Sequence, residues 1–136
     1  MSYATSAALQ KAVYAALGAD VALQDELSGA VYDAMPQGTV PDVFVSLGPE
    51  VVKMRSDASG SGTQHDFTVS VVASAEGFSR AKIVAGRVSD VLNDADLVLE
   101  RGRLVFMRFL KAVAKRNRGA SGRRIDMIFR ARIDDI

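Results

Sequence analysis

The chain has 136 residues, 49% hydrophobic and 24% charged, a length and balance that suit one globular domain over residues 1–136 and exclude a disordered, collagen-like or coiled-coil chain. It contains no cysteine, which excludes a disulfide framework, a thiolate nucleophile and a zinc ribbon and fits a reducing cytoplasm. Net charge is +1, yet residues 1–100 carry 6 basic and 13 acidic side chains while residues 101–136 carry 11 basic and 3 acidic; this asymmetry points to a polyanion-facing surface or to complementary faces on neighbouring subunits.

Met1-Ser2-Tyr3-Ala4-Thr5 has neither the basic start nor the apolar run of a secretory signal, and no later stretch is apolar for about 18 residues. Neither export by that route nor a membrane span is expected. From Ser6 to Leu17 the apolar Leu9, Val13 and Leu17 recur at spacings of four, predicting an amphipathic helix with Gly18 at its C′ position. Asp20 is placed to cap a short second helical turn through Leu23 to Leu27, which Ser28-Gly29 breaks. Val31-Tyr32-Asp33 reads as a short extended piece. Pro36, Gly38 and Pro41 then turn the chain into a strand over Val43 to Gly48, and Val51 to Arg55 continues it after a bend at Gly48-Pro49.

Ser56 to Thr63 is small and polar throughout and is expected to be a mobile loop, since it offers little apolar area to offset the entropy of ordering it. Phe67, Val69, Val71 and Ala73 then alternate with Asp66, Thr68, Ser70 and Val72, predicting a strand with one strongly apolar face. The period changes to three and four at Ala81, Val84, Val88 and Val91, predicting a main helix from Phe78 to Leu92. Leu97-Val98-Leu99 and Leu104 to Leu110 are expected to form a hairpin across Glu100-Arg101-Gly102-Arg103, with Gly102 supplying positive φ. The final strand, Arg124 to Ile133, puts Ile125, Met127, Phe129, Ala131 and Ile133 on one face. The fold class that follows is α+β: an antiparallel or mixed sheet with two helices packed on one face.

Among chemistry-bearing features, the most pronounced is basic. Lys111, Lys115, Arg116, Arg118, Arg123 and Arg124 occur without an intervening acidic residue around the turn Gly119-Ala120-Ser121-Gly122. A hairpin tip of this kind suits phosphate contacts, but it has no aromatic residue for base stacking; a solvated tip or a protein-docking tip is the alternative. These six cations are the candidate partner- or DNA-facing residues. Gly60-Ser61-Gly62 and the second glycine turn lack the spacing of a phosphate loop. His65, the one histidine, has no cysteine or second histidine to complete a transition-metal site and is read as a surface or strand-start residue with nothing to orient it. Asp94 with Asp96, and Asp134 with Asp135, fit no calcium-loop pattern and are read as a helix C-terminal turn and an exposed tail. No Gly-x-Ser-x-Gly elbow is present. No catalytic, cofactor-binding or metal-binding residue is assigned, and no enzyme activity is expected.

The order of these pieces carries a resemblance. Ala8-Leu9-Gln10 opens the first helix; Leu17 and Leu23 lead to Val31-Tyr32-Asp33; Pro36 and Pro41 precede Val43 to Gly48. After the Gly/Ser loop come Val69 to Ser74, Gly77, and the helix marked by Ala81, Ile83, Val84, Val88 and Leu92, then two closing strands. Over roughly residues 7 to 133 this layout resembles the small tail-completion proteins of long-tailed phages and of gene transfer agents, related in fold to tail terminators; Asp42 and Ala73 stand where that family commonly has aromatic residues. The resemblance implies a homo-oligomeric ring, typically six-fold, at the head-proximal end of the tail of the virion, assembled in the bacterial cytoplasm. Its implied partners are the tail tube protein, the head–tail connector and DNA passing through the lumen without sequence specificity, with no membrane and no cofactor. The alternatives from the residues themselves are another neck or head-completion connector protein and a nucleic-acid-binding module using the basic 111–124 hairpin.

Overall fold

The computed structural model describes residues 3–34, 38–55, 62–74, 78–116 and 122–135. Three helices, α1 (Ser6–Ala19), α2 (Val21–Leu27) and α3 (Ser79–Leu92), accompany five strands: β1 (Val31–Tyr32), β2 (Val43–Met54), β3 (Gly62–Ala73), β4 (Arg103–Arg116) and β5 (Arg123–Asp134). The strands form one mixed sheet in the order β1-β2-β3-β5-β4; β1 is parallel to β2, and all other pairs are antiparallel. The expected α+β class is therefore observed, with the short second helical turn counting as a third helix.

Local sequence explains most boundaries. Gly18 lies inside the last turn of α1 rather than beyond it, because Asp20 takes over the junction: it ends α1 and caps α2, its carboxylate accepting from Leu23 N at 2.9 Å. Ser28 and Gly29 then adopt positive φ and end α2. In β2 the register against β3 shifts between Leu47 and Glu50, where the Gly48-Pro49 bend was expected; proline has no N–H to give the ladder. The core is one continuous cluster. Leu9, Val13 and Leu17 of α1, Leu23 and Leu27 of α2, and Val84, Val88 and Leu92 of α3 pack with Val45, Val69, Val71, Met127 and Phe129 of the sheet. Phe129 is fully buried, stacked on Phe67 and edge-on to Phe109, each at 5.8 Å.

Three expectations about the fold need correction. Leu97-Val98-Leu99 forms no strand, so the predicted hairpin with Leu104 to Leu110 does not exist. Gly102 does have positive φ (80°), but it turns the chain into β4, whose sheet partner is β5. Leu97 and Leu99 instead pack on the core as a connector. In the predicted Ser56–Thr63 loop, Gly62 and Thr63 belong to β3, where both are buried; residues 56–61 lie outside the described residues. Asp134 and Asp135 are not a free tail: Asp134 pairs with Arg103 at 3.2 Å and Asp135 with Arg101 at 3.0 Å.

Candidate functional site

The basic arm is the outer half of the β4–β5 hairpin. Fourteen-residue β4 and twelve-residue β5 are long strands that pair from Arg103↔Asp134 to Arg116↔Arg123, with apolar alternation in β5. From Leu110 to Arg116 every β4 residue is exposed. Because successive side chains of a strand point to opposite faces, the register divides the predicted cations. Lys111, Lys115 and Arg124 share the face away from the helices with Ile128 and Asp126; Arg116 and Arg123 share the other face with Ile125 and Met127. Arg118 lies outside the described residues.

Several of these cations are already engaged. Lys115 Nζ is 3.1 Å and Arg124 Nε 2.7 Å from the Asp126 carboxylate, which also accepts from Ser70 Oγ at 2.6 Å. Partial burial pushes the Asp126 carboxyl up, but the hydrogen bonds from Ser70, Arg124 and Lys115 outweigh it and hold the group below its usual range. The Arg123 guanidinium lies over the Phe78 ring, 5.3 Å from its centre. Lys111 and Arg116 form no ion pair with any described residue. The five described cations of the basic run thus lie on two faces of an arm, with Asp126 held between Lys115 and Arg124.

A second polar cluster lies where α1 meets β2 and β3. Correcting the surface reading, His65 is completely buried. Its Nε2 is 3.2 Å from Thr5 Oγ1 and 3.0 Å from Thr63 Oγ1, and its Nδ1 faces Glu50 Oε2 at 3.7 Å. Glu50 in turn accepts hydrogen bonds from Tyr3 Oη and Ser6 Oγ. Burial lowers the His65 pKa, and the Glu50 carboxylate opposes that only in part. Nδ1 itself is buried without a hydrogen-bond partner among the described residues, the Glu50 oxygen standing beyond hydrogen-bond range.

Thr5, His65 and Glu50 follow the order of a nucleophile, a base and an orienting acid. Thr5 is 2% and His65 0% exposed, however, so a substrate carbonyl has no path to the hydroxyl. The cluster's evident work is to pin the start of α1 to the sheet. Sequence reasoning missed it because its members are far apart in the chain, Thr5 and His65 by 60 positions; the nearest signal was the unusual Thr63-x-His65 start of an apolar strand. Among the described residues no three His, Asp or Glu side chains gather to hold a metal ion, and no helix is long and apolar enough to cross a membrane.

The family model described as tail completion protein gp17 matches residues 11–134. The chain is also similar to a chain in the solved virion of a native gene transfer agent particle, with 53% sequence identity, a TM-score of 0.92, and coverage of 98% of this chain and 99% of that chain. No protein curated for function matches it. The family match runs from within α1 to the end of β5 and takes in the whole sheet and the basic arm, and so the chain belongs to the tail completion protein family.

Proposed function

We propose that this protein is a structural subunit of the virion tail that assembles into a ring on the head-proximal end of the tail tube. The ring ends tube growth, presents a surface to the head connector and lets DNA pass through its centre. The observation that carries the reading is the near-complete match to a gene transfer agent virion chain at 53% identity, joined to the family match over residues 11–134. The molecule's own features support it. It has one continuous core, a reaction-like triad sealed from substrate, and charge segregated along the chain, which suits a heterologous contact between one face of a subunit and a different face of the next.

Electron microscopy of particles made with and without the gene tests this reading. Overlong or headless tails are expected without it; normal tails on filled heads would overturn it. A free nucleic-acid module is less well supported, because Asp126 already engages Lys115 and Arg124.

A further inference from the structure

The β4 strand has one sheet neighbour, β5, so its other edge carries unpaired backbone groups. The end of α3 covers part of that edge: Asn93 Oδ1 accepts from Phe109 N at 2.9 Å, and Asp94 N donates to Met107 O at 2.8 Å. From Leu110 to Arg116 no described residue covers it. An exposed edge of this length is a template for another strand. It is apolar as well as basic, with Val113 50% exposed between Lys111 and Lys115.

A matching segment lies elsewhere on the same chain. The connector from α3 to β4 places Leu97 and Leu99 against the core and leaves Val98 94% exposed, the alternation of a strand. Yet from Asp96 to Leu99 it makes no backbone hydrogen bond to any described residue. Between Val88 and Glu100 the sequence holds Asp90, Asp94, Asp96 and Glu100 and no lysine or arginine. Asp94 and Asp96 are exposed and form no ion pair with a described residue.

We propose that the outer edge of the β4 arm, through Lys111 and Val113, which share one face of the strand, docks on the acidic connector of a second copy of this chain, through Asp94, Asp96 and Val98. Three observations select that occupant. Charge is complementary, basic against acidic. Two arms of the same kind repel, which disfavours a symmetric β4–β4 contact. A chain is not placed to satisfy itself: its connector leaves Asp94 at Met107 and leads back to the start of β4 at Arg103, away from the exposed stretch Leu110 to Arg116. The contact is therefore head-to-tail, the class that closes into a ring or runs on as a filament. It rests on the self-assembling reading above and names the surfaces that reading requires.

The chain's lack of cysteine gives a clean test. Particles are prepared with the double variant Val98→Cys, Val113→Cys and oxidised. A ladder of disulfide-linked multimers of the chain is expected, with none from either single variant. Particles that incorporate the double variant at normal occupancy yet give no ladder overturn the interface, while the terminating role, scored separately by tail length, stands or falls by itself. Charge reversal provides the second measurement. Asp94→Lys with Asp96→Lys, and Lys111→Glu, should each reduce incorporation at least tenfold, and supplying both variants together should restore it, because each then meets its complement. Failure of the mixture to restore incorporation overturns the proposal. So does a photo-crosslinker attached to a thiol introduced at position 113 that captures the tube protein or DNA and not a second copy of this chain.

Discussion

The β4 and β5 strands are paired along their whole length, yet β5 buries five alternate residues from Ile125 to Ile133 while β4 buries only Leu104 and Met107. Composition does not explain the difference. Phe109, Leu110, Ala112, Val113 and Ala114 are as apolar as the alternating residues of β5, and all five are exposed. Position does explain it: β5 is flanked by β3 and β4 and lies under α3, whereas β4 is the edge strand and leaves the helices' cover after Phe109. Hydrophobicity that is buried in one strand for stability remains available in its neighbour for association.

The contrast between the two strands is most exposed to test at the centre of β5. Phe129→Ala, which removes a fully buried ring in contact with Phe67 and Phe109, should cost about 3–5 kcal/mol in chemical denaturation. A loss below about 1 kcal/mol would mean that β5 is not the core strand described.

The next effect separates the pinned end of the molecule from the arm. Buried His65 has its pKa lowered below the ordinary 6.5, so it stays neutral in the folded chain when the unfolded chain has taken up a proton. Its contribution is intact above pH 6.5 and is lost as pH falls below that value, with a slope of at most about 1.4 kcal/mol per pH unit. Denaturation between about pH 7.5 and 5 should show this slope, and His65→Gln should flatten it. An unchanged slope in the variant would assign the titration to another group; Asp126, held low, loses its contribution only as pH falls below 3.8.

The smallest effect belongs to the arm itself. Val113→Ala, on the exposed part of β4, should change the stability of the isolated subunit by less than about 0.5 kcal/mol. A thermal scan showing a larger loss would place the arm in the packed body and remove the distinction between the two strands.

Much of this fold was legible from short-range pattern. The spacing of Leu9, Val13 and Leu17 marks the buried stripe of α1, and that of Ala81, Val84 and Val88 marks the stripe of α3. Asp20 announces the α2 cap, and the alternation from Ile125 to Ile133 marks the central strand. The candidate site was legible only as composition. A run of cations could be read, but whether two of them share a face depends on strand register, and the hydrogen bond that Ser70 adds at Asp126 comes from a distant strand. Leu97-Val98-Leu99 misled for a related reason: strand-forming residues specify an extended backbone, not a partner for it.

Helix and strand periods, caps and turns, and the separation of acidic from basic segments were all present in the amino-acid order, because each depends on residues within a few positions of one another. Three features came only with the folded chain: the burial of His65 between Thr5, Thr63 and Glu50, the placing of β4 rather than β5 at the edge, and a connector left without a strand to pair with. Those outcomes depend on which distant segments compete for the same space, and burial, desolvation and hydrogen-bond partnership are properties of that competition rather than of any residue type.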